Sequence, residues 1–381
     1  MKNIIALTAL ALFAVSSLAA QMTVSGILDS TVSMNAGAQD AHAFSYGIEE
    51  YANLRFQSRI RDRGSISGAV NFTAASGDYA AALAHTGAPV GENFIAAIEL
   101  ERLHFRLRGE HIDFDGGLFR LPFGYGNVWG PSDFLNPRNP LKPDARLRAI
   151  LGAAFSWFPI DEIKLLGFYA APRNALSNDG SGTLAGFSLD RHWDKASVQT
   201  LYSFETPKEG SAGGIHRAGL SLKADVEVGL VMDALYTYNN EAGTEIDGLS
   251  FSIGADYSFF DGNLILLAEY LYSGKLSSTS VKTGGDFMNN NYLSSAFTWR
   301  FNDFTNINLA LVCALDDISF TPILSFNHEL FQGATLMLSA QIPLDRNSFT
   351  GDENRGEFGP IRPGANAGSY FRCTARIRLR F

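Results

Sequence analysis

The sequence predicts an all-β protein: a closed antiparallel transmembrane β-barrel of about 16–18 strands, with short periplasmic turns and long extracellular loops. Three patterns predict it. Apolar and polar residues alternate with a period of two from end to end, tight connections take turns with long polar ones, and aromatic residues gather at both ends of the alternating segments. The 381 residues are 46% hydrophobic and 12% aromatic, with 37 Gly and two Cys. That mixture excludes a disordered chain, a collagen-like fibre and a disulfide scaffold.

The first element is an address. Met1-Lys2-Asn3 is followed by a largely apolar run from Ile4 to Val15 and by Ser16-Ser17-Leu18-Ala19-Ala20. Basic, apolar and small parts in that order read as a secretory signal peptide over 1–20, cleaved after Ala20. The apolar part is shorter than the roughly 20 residues that a membrane-spanning helix needs. No later stretch approaches that length, so residues 21–381 are either released across the inner membrane or inserted as sheet, and the strand patterns below favour insertion in the bacterial outer membrane. Loss of Lys2 leaves 29 Lys+Arg against 39 Asp+Glu, a formal net charge of −10, and general affinity for nucleic acid is excluded.

The strands follow from alternation. In Leu249 to Phe259 the odd positions Leu249, Phe251, Ile253, Ala255, Tyr257 and Phe259 oppose Ser250, Ser252, Gly254, Asp256 and Ser258. Ala52, Leu54, Phe56 and Ile60 likewise oppose Asn53, Arg55, Gln57 and Arg59. About 18 such segments occur, each near the 9–11 residues of a tilted membrane strand. Their cores fall at 22–35, 50–61, 64–75, 93–108, 110–121, 146–158, 162–171, 183–192, 195–205, 215–225, 227–239, 247–259, 262–273, 291–301, 305–315, 317–327, 332–343 and 370–381. Tight links such as Arg61-Asp62-Arg63-Gly64 and Phe260-Asp261-Gly262 alternate with longer polar stretches such as 76–91, 122–145, 274–290 and 344–369. The link near Asp316 breaks the rule, being short where a long one is due.

Trp157, Phe158, Trp193, Phe259, Phe260, Trp299, Phe301 and Phe381 stand beside short turns, whereas Tyr169, Tyr202, Phe204, Tyr236, Tyr238, Tyr270 and Tyr272 stand beside long loops. Two belts at headgroup level are the expected result. A soluble propeller would instead show a repeated blade of about 40–50 residues, and no such repeat is present.

The last strand, 370–381, ends Thr374-Ala-Arg-Ile-Arg-Leu-Arg-Phe381, with Phe371, Ile377, Leu379 and Phe381 on its apolar face. This ending resembles the C-terminal signal that the insertion machinery of bacterial outer-membrane barrels reads. The whole layout resembles a porin of the 16–18-stranded class, and Trp129-Gly-Pro-Ser-Asp-Phe-Leu-Asn-Pro137 is similar to a segment of poorly characterised porin-like families. The resemblance implies a passive channel in outer-membrane lipid for small hydrophilic solutes, not an enzyme, and leaves open whether copies associate as a homotrimer. It also implies that the loop 122–145 folds inward as a constriction carrying Tyr125, Trp129, Asp133, Arg138 and Lys142.

A barrel this wide is not filled by its own side chains, so alternation assigns a water-filled lining. Arg55, Arg59, Arg102, Arg106, Arg108, Arg146, Arg148, Arg372, Arg376, Arg378 and Arg380 point inward from the first six strands and the last, forming one basic arc after closure. Asp233, Asp256 and Glu269 stand on the far wall, and opposed arcs would favour anions or orient dipolar solutes. Pairing of the arginines with Asp113 and Asp115 would mute that preference. The seven His show no metal-ligand spacing, no phosphate-cradling loop occurs, and neither metal nor cofactor is expected. A substrate-specific or hydrophobic-solute transporter and a surface adhesin remain as other readings; Ile150, Leu166 and Leu267 are apolar yet point inward.

Overall fold

The computed structural model describes residues 22–37, 44–83, 88–90, 94–137, 141, 149–171, 182–207, 213–239, 248–274, 289–345, 357–358 and 369–381. The signal segment 1–20 lies outside them. In chain order the strands are β1 (Met22–Gly37), β2 (Phe44–Ile60), β3 (Gly64–Gly77), β4 (Ala88–Val90), β5 (Phe94–Arg108), β6 (Ile112–Phe119), β7 (Ile150–Ile160), β8 (Ile163–Ala170), β9 (Leu184–Trp193) and β10 (Ala196–Glu205). They continue as β11 (Ile215–Asp225), β12 (Gly229–Asn239), β13 (Leu249–Phe259), β14 (Leu264–Ser273), β15 (Asn291–Asn302), β16 (Thr305–Ala314), β17 (Ser319–Phe331), β18 (Ala334–Gln341), β19 (Leu344–Asp345) and β20 (Ser369–Arg380). A short helix, α1 (Asp78–Leu83), follows β3.

Eighteen of these strands close into one antiparallel ring, in which β1 pairs with β2 on one side and with β20 on the other. The expected range of 16–18 thus resolves to 18. β4 and β19 are short additions to β5 and β17. The polarity of the wall is inverted relative to a soluble protein. In β1, Asp29, Thr31, Ser33 and Asn35 are 1–6% exposed on the inner side, while Val24, Leu28, Val32 and Met34 are 43–58% exposed on the outer side. Only a hydrocarbon surround makes that arrangement favourable, because water would meet a continuous apolar band.

Two departures from simple alternation have local causes. In β5 the register shifts opposite Ala69 and Val70, so that Ala69 faces Arg102 and Val70 faces Leu100. The extra residue, Glu101, bulges, and this lets Glu99 and Arg102 point inward although their parities differ. β2 begins at Phe44, earlier than the segment 50–61, because Glu50 interrupts the apolar parity; its carboxylate accepts a hydrogen bond from Ser30 Oγ at 2.7 Å. The short link near Asp316 does lie on the long-loop rim. Its carboxylates serve as caps: Asp316 accepts from the backbone of Asn290 and Asn291, and Asp317 accepts from Asn289 Nδ2 at 2.6 Å and from the Glu357 backbone.

The aromatic belts are present. Phe260 lies 6.1 Å from Trp299 and 6.4 Å from Phe259 beside the tight turn, and Arg191 stacks over Trp193 at 4.7 Å on the same rim. On the opposite rim Phe187, Tyr202, His216 and Tyr238 form a run of ring contacts. Cys313 and Cys373 are free thiols on strands that are not neighbours.

The seam is closed by the terminal residue. Gly26 N donates to Phe381 O at 2.8 Å and Phe381 N donates to Gly26 O at 3.1 Å. The Phe381 ring lies where a Cβ on residue 26 would sit, so only glycine admits it. Gly26→Leu is therefore expected to weaken closure by about 1–3 kcal/mol through overpacking. Loss of the compact, fast-migrating band in gels of heated samples should occur at a lower temperature, whereas Val24→Leu on the lipid-facing side should leave that temperature unchanged.

Candidate channel lumen and its constriction

After β6 the chain turns into the barrel, and residues 120–137 lie against its inner wall. Phe123, Trp129, Phe134 and Leu135 are buried there. Phe123, Phe134 and Leu135 pack on a bed of inward apolar residues that includes Phe119, Ile150, Leu166, Phe168, Leu201 and Leu235. Trp129 packs on a second bed with Leu271, Tyr292, Val312 and Phe358, its ring 5.5 Å from that of Tyr292. Burial of such rings supplies roughly 2–3 kcal/mol each. Ile150 and Leu166 are thus seats for the segment and not parts of a greasy lumen.

Apolar contact does not fix register, but polar contact does. Gly124 N donates to Gln199 Oε1 at 2.6 Å on β10. The backbone N–H groups of Asn127, Val128 and Trp129 donate to the Glu269 carboxylate on β14 at 2.9, 2.9 and 3.1 Å. Ser132 N donates to Asp233 Oδ2 on β12 at 3.3 Å, and Ser132 Oγ donates to the Ala234 carbonyl at 3.1 Å. Ser221 Oγ on β11 also donates to Asp233. Within the segment, Asp133 accepts from Phe123 N at 3.3 Å and Asn136 Nδ2 at 3.1 Å, closing it on itself. Gly124 has φ +79°, and a Cβ there would strike the Asp233 carboxylate. Side-chain-free backbone is what permits so close an approach.

The opposite wall is open. A cavity of about 730 Å³ borders β1, β2, β3, β5 and β20, lined by five guanidiniums (Arg55, Arg102, Arg120, Arg376 and Arg378) and three carboxylates (Asp29, Glu49 and Glu101). Arg378 forms a two-pronged pair with Asp29 at 2.8 Å, and Arg120 reaches Glu101 at 2.8 Å. Arg55 donates to the neutral Asn53 side chain at 2.5 Å, Arg372 to Asn35 at 2.8 Å and Arg376 to Thr31 Oγ1 at 3.1 Å. The lining therefore keeps an excess of positive charge.

The predicted residues divide into three groups. Arg55, Arg102, Arg376 and Arg378 meet in the open cavity, and Arg59, Arg372 and Arg380 share their inward parity on β2 and β20. Arg106 and Arg108 pair with Asp115 (2.8 Å) and Asp113 on the adjacent strand, so their charges are locally balanced. Arg146, Arg148, Arg138 and Lys142 lie outside the described residues. On the far wall the expectation of acids facing open water needs correction. Asp233 and Glu269 are inward but 0% and 1% exposed, because the 123–135 segment covers them; Asp256 lies inward at the short-turn end of β13, opposite Gly229. Of the predicted constriction residues, Tyr125 and Trp129 lie on the segment, and Asp133 braces it internally.

Sequence reasoning missed Gln199, Ser132, Ser221, Glu101 and Arg120. Only Glu101 had a hidden signal: it sits where two apolar parities collide in β5. Tyr125 contacts Ser197, and burial, with the charge of Asp190 next, pushes its phenol up to about 12. The docked segment therefore prefers the neutral phenol. Docking is expected to weaken as pH rises above the ordinary tyrosine value of about 10 and to change no further past about 12. Difference spectra of parent and Tyr125→Phe protein in alkaline titration should show this late phenolate.

No family model and no curated protein matches the sequence. Solved structures do. OccAB1 of Acinetobacter baumannii is similar at 10% identity with TM-score 0.59, over 96% of this chain and 98% of that one. The outer membrane protein opdK of Pseudomonas aeruginosa is similar at 9% identity with TM-score 0.58, over 95% and 98%. OmpF of Salmonella typhi, solved with daunomycin, is similar at 12% identity with TM-score 0.50, over 94% and 97%. Identities this low speak for architecture alone, and the architecture is that of the porin-type outer-membrane β-barrels.

Proposed function

We propose that the protein is an outer-membrane channel, and not an enzyme, through which small hydrophilic solutes diffuse with a preference for anions. In this reading the chain is exported by a cleaved signal over 1–20, handed to the insertion machinery through its C-terminal strand, and seated in outer-membrane lipid. A homotrimer is supported by the likeness to porins only.

One observation carries the ion preference: the open half of the lumen holds five guanidiniums against three carboxylates. Two of the five are paired with two of the three acids, Arg378 with Asp29 and Arg120 with Glu101, and Arg55, Arg102 and Arg376 line the same cavity with Glu49. Low-dielectric walls focus that excess onto a permeating ion. Transport of apolar solutes is less well supported, since inward Ile150 and Leu166 are occupied by the 123–135 segment.

A unit charge about 8 Å from an ion is worth about 0.5 kcal/mol in water with opposite sign for an anion and a cation, or roughly a fivefold change in their relative permeability. Planar-bilayer recordings should show stable conductance steps and a reversal potential of anionic sign under a salt gradient. Arg102→Gln with Arg376→Gln should lower the anion-to-cation ratio by up to about thirtyfold at low salt while steps persist. A cation-preferring parent, or an unchanged ratio, would remove the anion reading.

A further inference from the structure

We propose that the outer face of β1 and β2 around Ser30 and Glu50 seats a second copy of this chain, so that two barrels pair about a twofold axis normal to the membrane. The contact rests on the membrane barrel alone and not on the channel reading.

Glu50 breaks the apolar outer face at depth. On β2 it shares the outward parity of Tyr46, Ile48, Ala52 and Leu54, and its partner across the strand pair is Ser30. Tyr46 is exposed near the long-loop end of the strand, and Glu50 follows it by four residues. On a tilted strand that is about 10 Å further into the hydrocarbon band. Leu28, Ile377 and Leu379 stand beside the pair with their side chains bare. Among the described strand residues, Glu50 is the one carboxyl on the outer face between the two aromatic belts.

Its one donor among the described residues is the Ser30 hydroxyl at 2.7 Å. A carboxyl takes more hydrogen bonds than one, and lipid tails supply none. An ionisable group at that depth is costly unless something polar meets it. The wall admits a close approach there, because Ala52, Ala74 and Ala96 floor a groove of about 550 Å³ between the pair and the bulkier Phe72 and Ile98. Small residues let another wall come near.

A second copy brings the matching chemistry to the same depth. A hydroxyl donates and accepts, and a carboxyl in its acid form does both, so two facing pairs satisfy one another. The 2.7 Å separation sets the symmetry. Donor and acceptor on one copy stand too close together to face different neighbours, whereas a threefold ring joins each copy to its neighbours through two different patches. A twofold contact lays Ser30 and Glu50 of one copy on the same two residues of the other. Both copies cross the membrane in the same direction, so the axis stands normal to it.

The test uses mature full-length protein in phospholipid vesicles, with Cys313 and Cys373 changed to Ser. Oxidation of added Ala52→Cys should join copies into disulfide-linked dimers, whereas Ala234→Cys, outward on β12, should leave them single. Glu50→Gln, whose amide also donates and accepts, should keep the linked yield. Glu50→Leu should lower it roughly tenfold in a barrel whose heat-dependent gel migration is unchanged. Sedimentation equilibrium in density-matched detergent should give two chains per particle for the parent. Equal linking at Ala52→Cys and Ala234→Cys, or a linked yield that Glu50→Leu leaves unchanged, overturns the contact. Loss of linking in Glu50→Gln as well as Glu50→Leu points to a cationic partner and overturns self-pairing. One chain or three chains per particle overturns the twofold axis.

Discussion

Hydrocarbon supplies no hydrogen-bond partner, and this single deficit organises the molecule. Every backbone N–H and C=O crossing the membrane must be met by the neighbouring strand, so the sheet has to close. Closure is completed by the last residue, whose backbone bonds to Gly26 and whose ring needs the space a glycine leaves. Once the sheet is closed, pleating sends alternate residues to opposite media. That is why Asp29 and Thr31 are hidden while Leu28 and Val32 are bare. The same rule that spares the backbone thus creates a polar interior too wide for its own side chains to fill.

The interior is then partitioned by how its charges find partners. On β1, β5, β6 and β20, carboxylates meet guanidiniums side by side across strand pairs, as in Arg378 with Asp29 and Arg106 with Asp115. On β12 and β14 the carboxylates have no such partners in the described structure, and the backbone N–H groups of Asn127, Val128, Trp129 and Ser132 take that role. A segment recruited to satisfy two anions thereby covers the wall around them, and Trp129, Tyr292 and Phe358 extend the cover towards a second loop. The uncovered half retains the arginines.

Strand number, pairing order and the sidedness of most residues were legible because they depend on period two, which hydrocarbon enforces on every strand. Legibility failed where that enforcement lapses. The Glu101 bulge changes parity without any apolar penalty, since Leu100 before it stays on the outer face and Arg102 after it stays on the inner one. Glu50 breaks the apolar outer face, where its carboxylate accepts a hydrogen bond from the Ser30 hydroxyl. The anchoring of the segment was invisible for a different reason: Asn127, Val128, Trp129 and Ser132 act through backbone N–H groups, which every residue but proline carries, so nothing at those positions marks them as donors. Asp233 and Glu269 were recognised as inward acids, but alternation reports direction and not cover.

Cover changes the electrostatics of the lumen more than any single charge does. Two opposed arcs, both wet, would produce a transverse field with little net preference at the axis. Burying Asp233 and Glu269 under dipolar backbone moves the negative arc behind a layer of protein, while Arg55, Arg102 and Arg376 remain at the cavity. In the proposed channel, solutes would then meet a positive surface on one side and the docked segment on the other. Selectivity on this view is a property of which carboxylates the segment hides, and an acidic protein overall can still present a cationic path.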